Sequence, residues 1–297
     1  MSPLAILMVI FTSGSSNHLP RVSGYQLEHL SAACEDPSET TVLAIVDETC
    51  RWHPQERHVP TKCLANVVRT YPLNVAWAGE EFRTAYLPLG PRDTFPFIAA
   101  NLRRPASVRP VFFNLVIRPR TSERRQELIA IAQEYSAANP DLNCLPGGGI
   151  VDEREYPSVL LDSRFTLSPA GHNAECFRTW EALEAGSIPI VSQLDFTNQE
   201  YSLPRGHNCG IGSVSWNTVA GAPFAKQVSV ADWRGLPALL DRLQREPDDF
   251  VDKLQEDSVA WYEAVMKQTY RSMLNFGGSG DLFPQDGPIL ERRGDSA

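Results

Sequence analysis

The residue types between Ser163 and Val191 could bind a phosphate group beside a helix. The segment reads SRFTLSPAGHNAECFRTWEALEAGSIPIV, which predicts a strand at 164–167, a loop at 168–173, a helix at 174–185 and a strand at 188–191. Ligands of open parallel sheets bind beyond the carboxyl ends of strands, and a helix N-terminus offers free N–H groups to an anion. We therefore expect the loop with Ser168 and Gly171 to approach a phosphate, since glycine lets the backbone come close.

Two charged residues of the predicted helix are spaced for nucleotide chemistry. Arg178 and Glu181 are three residues apart, so they are neighbours on one helix face. The planar guanidinium of an arginine can neutralise a diphosphate, and a carboxylate can accept two hydrogen bonds from a ribose diol. The alternative is an ordinary surface ion pair worth about 0.2–0.5 kcal/mol, which the spacing alone favours.

The composition is that of a globular protein and excludes several classes. The 297 residues are 42% hydrophobic and 21% charged, enough for one large domain or two smaller ones and unlike disordered or fibrous chains. There are 27 basic and 36 acidic residues, and the formal charge of −9 argues against a general nucleic-acid partner or an anionic membrane. The six cysteines contain no CxxC pair, so a zinc or redox pair of that kind is not predicted.

The first hundred residues alternate apolar and turn-forming stretches, which predicts an α/β fold. This alternation, typical of βαβ units and a parallel sheet, gives strands at 4–11, 41–46 and 73–77 and helical stretches at 22–34 and 63–69. The apolar run at 4–11 is too short to span a membrane and follows no basic residues, so neither a span nor a convincing signal peptide is predicted. Five prolines indicate a linker at 87–110.

The second part of the chain continues the alternation. Further strands are predicted at 111–117 and 224–228, irregular structure at 193–221, and helices at 122–137, 156–162, 232–245 and 247–268. We therefore predict a short N-terminal lobe at 1–100, a larger lobe at 101–275 and a frayed tail at 276–297.

The same segment resembles the nucleotide-sugar half of exostosin-like glycosyltransferases. The resemblance rests on Pro169-Ala170-Gly171, Arg178…Glu181-Ala182, Gly186 and Ile188-Pro189-Ile190. It is closer to the ribitol xylosyltransferase branch, which shares the pattern Leu-x-Pro-x-Gly-x-Asn-x-Glu-Cys-x-Arg at 167–178 and also Asn208-Cys209-Gly210 and Gly221-Ala222-Pro223-Phe224. The similarity covers about residues 110–265, and the first lobe matches only loosely, through Asp47-Glu48 and Leu87-Pro88-Leu89-Gly90.

The resemblance implies a GT-B enzyme, with two Rossmann-like lobes that each contain a parallel sheet. Such enzymes bind the nucleotide sugar in the C-terminal lobe and the acceptor in the N-terminal lobe. The resemblance implies an inverting transferase that moves a sugar, xylose preferred, from a UDP-sugar to a glycan or polyol-phosphate acceptor. It also implies the Golgi lumen as location, although without a recognisable anchor the chain could be soluble and cytoplasmic. No Asp-x-Asp triplet is present, so we expect no metal and no other cofactor.

The resemblance also assigns candidate residues to the donor. The donor-binding candidates are Arg118, Arg120, Ser168, Gly171, Asn173, Glu175, Arg178 and Glu181. Four of these have alternatives: Arg118 and Arg120 could lie in a solvated loop, Asn173 could be a helix N-cap, and Glu175 could complement the helix dipole in its first turn. His172 and His207 could touch a ligand or be exposed loop residues. Cys176 and Cys209 fall in matched segments and could pair or pack together.

Inversion at the sugar needs a general base for the acceptor hydroxyl. Asp47 and Glu48 follow the end of a predicted strand and are the catalytic candidates, with His18 as a competitor. Either carboxylate could instead cap a helix or form a loop salt bridge.

A second class of function stays open. The short first lobe and the missing anchor favour a degenerate protein that binds a nucleotide sugar or a glycan without turnover, whereas Arg178, Glu181 and the Pro-Gly loop favour an enzyme. A phosphate-binding enzyme such as a nucleotide phosphatase is a weaker alternative, because no nucleophile or metal-binding carboxylate cluster stands out.

Overall fold

The computed structural model describes residues 43–45, 67–69, 88–92, 95–117, 123–147, 151–171, 175–197 and 218–274. The elements predicted at 4–11, 22–34 and 73–77 and the tail at 276–297 lie outside the described residues, so they stay predictions.

Two short strands are described in the first hundred residues. Strand β1 (Leu43–Ile45) lies inside the strand predicted at 41–46 and pairs in parallel with β2 (Val67–Arg69). The prediction of a helix at 63–69 is wrong at these last three residues. The β-branched pair Val67-Val68 suits an extended backbone, and Val67 lies opposite Leu43 in the ladder.

The main sheet has four parallel strands in the order β4-β3-β5-β6. These are β3 (Val111–Asn114), β4 (Cys144–Leu145), β5 (Ser163–Leu167) and β6 (Ile188–Ile190). Phe113 of β3 lies opposite Cys144 on one side and Phe165 on the other, and Phe165 lies opposite Ile188. Every residue of β3 and β6 is buried, as expected for a parallel sheet covered on both faces. The predicted α/β class is confirmed, and β4 is an element that the sequence did not indicate.

The helices follow the predictions in most places. They are α1 (Glu123–Ala138), α2 (Tyr156–Asp162), α3 (Phe177–Glu184), α4 (Gln193–Thr197), α5 (Pro223–Val228), α6 (Leu236–Arg245) and α7 (Asp248–Leu274). Two predictions are wrong: residues 193–197 form α4 rather than irregular structure, and 223–228 form a helix rather than a strand. Proline is favoured in the first turn of a helix, and Pro223 occupies that position in α5.

The strand order creates a switch point between β3 and β5. The chain runs from β3 through α1 to β4 on one side, and then returns through α2 to β5 on the other side. Helix α1 contacts α6, whereas α3 contacts α2 and α7, in keeping with helices on both faces of the sheet. Because α2 leads directly into β5 and α3 leads into β6, the N-termini of both helices lie toward the carboxyl edge of the sheet.

Aromatic rings join α3 to the C-terminal helices. Trp180 of α3 is fully buried and stacks on Trp261 of α7, with centroids 6.0 Å apart and planes 13° apart. Phe224 of α5 meets the edge of the same Trp261 ring. Burying such large side chains stabilises the fold by about 2–3 kcal/mol each, so α3 is rigidly held on the sheet.

The proline-rich segment is packed rather than a free linker. Phe95, Ile98 and Ala106 are buried, and two 3-10 turns follow, Ala100–Leu102 and Ala106–Val108. The N–H of Ala106 donates to Gln255 Oε1 at 2.9 Å, and both the N–H and the hydroxyl of Ser107 donate to Asp252. The interpretation of 87–110 as a linker is therefore wrong for its described residues, because their backbone donors bond to α7.

A buried arginine fixes the amino edge of the sheet. The guanidinium of Arg109 is fully buried and donates to the carbonyls of Leu160, Ser163 and Ala185 at 3.0–3.2 Å, and also to that of Arg104. Leu160 and Ala185 lie at the C-terminal ends of α2 and α3, where the helix dipole favours a positive charge. Burial lowers the pKa of Arg109 to about 10, so the group still carries its charge at neutral pH.

Gly186 should not tolerate a side chain. Its φ is +70°, and a Cβ would lie 2.9 Å from Arg109 Nη2 and 3.1 Å from Gln255 Nε2. We expect Gly186→Ala to lower the free energy of unfolding by about 2–4 kcal/mol, through the left-handed backbone and the displaced guanidinium. Urea unfolding checks this value. The control is Gly235→Ala, at φ −76° with the nearest atom 3.8 Å away, which should leave stability nearly unchanged. Equal effects of the two substitutions would contradict the argument.

Candidate functional site

The loop after β5 begins with a serine that faces inward. The N–H of Ser168 donates to the carbonyl of Ile190, which continues the ladder between β5 and β6. The Ser168 hydroxyl is buried, 2.7 Å from Thr179 Oγ1 and 3.4 Å from Cys176 Sγ. The structure therefore places this predicted donor-binding side chain against α3, where it joins the loop to the helix.

The peptide unit at Ala170 is held from both sides. Its N–H donates to Asp195 Oδ2 at 3.0 Å, and its carbonyl accepts from Arg125 Nε at 2.9 Å. Asp195 also accepts from Trp233 Nε1 and from Arg124, both within 3.2 Å. Burial raises the pKa of Asp195, and these donors oppose the rise. The loop that leads to Gly171 is thus fixed before any ligand arrives.

Glu175 ties the loop to a distant segment. It is buried, and its Oε1 accepts from the N–H of Leu89 at 2.6 Å and from Trp180 Nε1 at 2.8 Å. Helix α3 has Cys176 as its N-cap in extended conformation, so Glu175 precedes the helix and Asn173 is not its cap. Both alternatives from the sequence are therefore wrong. In the described contacts, Glu175 connects residues near 89 to α3.

Glu181 belongs to a buried ion pair with Arg92. The Nε of Arg92 donates to Glu181 Oε1 at 2.7 Å, and the glutamate side chain is only 2% exposed against 33% for the arginine. The alternative of a surface ion pair with Arg178 is therefore wrong. Burial lowers the pKa of Arg92, but the Glu181 carboxylate outweighs it, and the pKa of Arg92 rises overall. Arg92 consequently keeps its positive charge at neutral pH.

Two further residues, Tyr156 and Arg178, accompany the ion pair of Arg92 and Glu181. The Tyr156 ring packs edge-on against Phe95 with centroids 6.1 Å apart, and the guanidinium carbon of Arg92 lies 6.0 Å from the Tyr156 centroid. Burial raises the pKa of Tyr156, the Glu181 charge raises it further, and the Arg178 charge lowers it. Within the described part of the chain, Tyr156 Oη and Arg178 Nε are buried and have no hydrogen-bond partner.

We name these four residues the carboxyl-edge cluster: Arg92, Tyr156, Arg178 and Glu181. Tyr156 is at the start of α2 and Arg178 is in the first turn of α3, so the cluster lies toward the edge at which ligands of such sheets bind. Two cations, one carboxylate and one neutral phenol leave a net charge of about +1. Such an arrangement can bind an anionic oxygen and a hydroxyl pair at the same time.

Several candidates lie outside the described residues. They are Asp47, Glu48, Arg118, Arg120, Asn173, His18, His172, His207 and Cys209. Cys176 is a buried free thiol, and its Sγ lies within hydrogen-bond distance of the Ser168 and Thr179 hydroxyls. Over the described ranges, no three His, Cys, Asp or Glu side chains are grouped to hold a metal ion. Metal independence therefore stays a prediction.

Sequence reasoning did not identify Arg92, Tyr156 or Asp195. Arg92 follows the motif Leu87-Pro88-Leu89-Gly90 by two residues, so that motif was the available signal. Tyr156 opens a correctly predicted helix but bears no pattern of its own. For Asp195 the sequence holds no signal, because its partners at 124, 170 and 233 are far away along the chain.

The fold is a doubly wound α/β domain with a cluster of charged residues toward its carboxyl edge. Comparison with known protein families then identifies the family to which the chain belongs. The chain belongs to the family described as the RXYLT1 C-terminal domain, whose model matches residues 95–276.

Three curated relatives share the name ribitol-5-phosphate xylosyltransferase 1. The zebrafish (Danio rerio) protein is 26% identical over 185 residues, which cover 59% of this chain and 39% of that protein. The mouse (Mus musculus) protein is 30% identical over 112 residues, 37% of this chain and 23% of its own length. The human (Homo sapiens) protein is 36% identical over 95 residues, 30% and 19% respectively. The chain thus spans at most about two fifths of these relatives.

Among the described helices, none has the length and apolar character needed to cross a bilayer.

The Glu175 carboxylate should stabilise the folded protein. We expect Glu175→Ala to lower the free energy of unfolding by about 2–5 kcal/mol, because two buried donors, Leu89 N–H and Trp180 Nε1, lose their acceptor. Denaturant unfolding followed by tryptophan fluorescence measures this change. Glu127→Ala is the control, since Glu127 forms only an exposed pair with Arg234 and should cost less than about 1 kcal/mol. A Glu175→Ala variant as stable as the Glu127→Ala control would show that the two hydrogen bonds of Glu175 do not stabilise the fold.

Proposed function

We propose that this protein is a glycosyltransferase of the xylosyltransferase type. It transfers a sugar, preferably xylose, from a UDP-sugar to a glycan or polyol-phosphate acceptor, with inversion at the sugar. The observation that carries the proposal is the carboxyl-edge cluster, which lies within 88–181 and largely inside the segment that the family model matches. The shared name of the three relatives supports the choice of sugar and acceptor class.

The donor binds at the carboxyl edge of the main sheet. Arg178 faces the diphosphate, and the N-terminus of α3 adds its partial positive charge. Oε1 of Glu181 accepts from Arg92, and Oε2 accepts from the ribose diol. Arg118 and Arg120 follow β3 across the switch point and add positive charge as the leaving diphosphate develops. No metal or other cofactor is required.

The acceptor binds to a separate N-terminal lobe, as in GT-B enzymes. The proposed lobes are residues 1–100 and 101–275, and the parallel pairing of β1 with β2 suits a Rossmann-like first lobe. Asp47 and Glu48 follow β1 by two and three residues, at its carboxyl end. One of them removes the proton from the acceptor hydroxyl as it attacks the sugar. The resemblance further suggests the Golgi lumen as the site of action.

A second candidate function has an observation in its favour. Glu181 already bonds to Arg92 at 2.7 Å, and a carboxylate neutralised in this way is a weaker partner for a ribose. The chain would then be a degenerate protein that binds a nucleotide sugar or a glycan without turnover. Hydrolysis of a UDP-sugar by the purified chain separates the two functions.

A binding panel tests the proposal most directly. UDP, UDP-xylose, UDP-glucose, UDP-N-acetylglucosamine and GDP-mannose are compared by thermal shift and calorimetry, with and without EDTA. The proposal expects selective binding of the UDP compounds that EDTA does not change. Absence of binding to every nucleotide would contradict it, and sensitivity to EDTA would contradict metal independence.

Glu181 should contribute to nucleotide affinity. We expect Glu181→Gln to weaken UDP binding by about 1–3 kcal/mol, because the amide is a poorer acceptor for the ribose diol in a buried site. Calorimetry measures the affinity, and a parallel unfolding curve detects any loss from the Arg92 pair. Glu127→Gln is the exposed control and should bind UDP as the parent chain does. Unchanged affinity in Glu181→Gln would remove the ribose role.

The catalytic base should affect turnover alone. We expect either Asp47→Asn or Glu48→Gln to lower the transfer rate by about 10²–10⁴-fold while UDP affinity stays the same, since proton removal occurs only in the transition state. Rates and affinities are measured on the same preparations. If both variants keep the full rate, the base lies elsewhere.

A further inference from the structure

The carboxyl edge holds two residues with buried polar atoms that lack a described partner, and the proposed donor contacts use only one of them, Arg178. Unpaired buried groups cost about 1–3 kcal/mol each, so native proteins contain few of them. Two such atoms, Tyr156 Oη and Arg178 Nε, lie on the neighbouring helices α2 and α3. Tyr156 is only 7% exposed, and its ring is fixed by Phe95.

Both atoms can donate a hydrogen bond, which defines the missing partner. The Nε–H of an arginine is a donor only, and a neutral phenol has one O–H to give. Burial raises the pKa of Tyr156, so the phenol keeps its proton at neutral pH. The charges of Arg178 and Arg92 lower the pKa of Tyr156 and the Glu181 charge raises it, so two cations and one carboxylate act on the phenol. Two donors in a positive surrounding suit an anionic oxygen acceptor.

We propose that Tyr156 and Arg178 form a donor pair that binds a phosphate oxygen of a diphosphate, with Tyr156 as a specificity residue. The inference deepens the proposed function, because it adds a neutral hydrogen-bond donor to the charged groups that meet the donor substrate. Arg92 supplies positive charge beside the ring but stays engaged by Glu181. Free pyrophosphate offers the same phosphate oxygens as the diphosphate of a nucleotide, so the test compares the binding of these two compounds.

A second buried tyrosine, Tyr135 on α1, gives a matched control for Tyr156. Tyr135 is buried to a similar degree, at 6% exposed, but its hydroxyl donates to Asp241 at 3.0 Å. Removal of the Tyr135 hydroxyl loses a hydrogen bond to a carboxylate, whereas removal of the Tyr156 hydroxyl deletes an unpaired group. Tyr135→Phe should therefore lower stability without changing binding, and Tyr156→Phe should weaken binding without lowering stability.

The experiment measures binding of UDP, inorganic pyrophosphate and uridine to the whole chain by calorimetry, with melting temperatures alongside. We expect Tyr156→Phe to weaken UDP and pyrophosphate by about tenfold, to leave uridine unchanged, and to melt at the parent temperature or above it. Tyr135→Phe should melt at a lower temperature and bind all three compounds as the parent does. Arg178→Lys keeps the charge but loses Nε, and it should also weaken UDP and pyrophosphate.

The outcomes separate this inference from the proposed function. If UDP binds the parent chain and Tyr156→Phe equally, the Tyr156 role is overturned and the glycosyltransferase proposal survives. If pyrophosphate binding depends on Tyr156 but UDP binds no better than pyrophosphate, the donor pair is supported and the nucleotide-sugar donor is overturned. Absence of binding to both overturns both. A lower melting temperature for Tyr156→Phe shows that the hydroxyl has a structural partner, which also overturns the inference.

Discussion

The burial of one guanidinium determines how the site is held. Removing a charged group from water costs several kcal/mol unless its donors are satisfied, and Arg109 meets this cost with backbone carbonyls rather than a carboxylate. These carbonyls terminate α2 and α3. The same two helices carry Tyr156 and Arg178 at their opposite ends. The anchor at the amino edge therefore helps to set the separation of Tyr156 and Arg178 at the carboxyl edge.

Three carboxylates hold another segment along α3. Glu175 lies just before the N-cap of α3, and Glu181 and Glu184 lie within the helix. They accept from the N–H of Leu89, the side chain of Arg92 and the N–H of Ile98, respectively. The contacts of Leu89 and Ile98 are buried and that of Arg92 is partly buried, so salt screens them little. The segment is thereby fixed to α3 at three points. A shift of α3 would move this segment with it.

The sequence predicted elements well where periodicity and caps agreed, and less well where tertiary contacts decided. The bounds of α2 match the prediction at 156–162, and α1 differs by one residue at each end. The strand predicted at 224–228 is helix α5 instead, and Pro223 in its first turn favours that helix. The spacing of Arg178 and Glu181 alone favours an ordinary surface ion pair between them, and it does not indicate that Glu181 pairs with Arg92. Arg92 is 89 positions away, and no local pattern reports such a pairing.

The hydrogen bonds between α7 and the 3-10 turn at 106–108 affect the order in which the domain can form during translation. Gln255 accepts from the N–H of Ala106 across 149 positions, and Asp252 meets Ser107 across 145. Chains are made from the N-terminus, so the turn and β3 leave the ribosome long before their partners exist. Closure over such distances is slow, and until it happens the N–H groups of Ala106 and Ser107 lack their acceptors on α7. The packing of residues 106–107 is therefore completed only when the last long helix has been made.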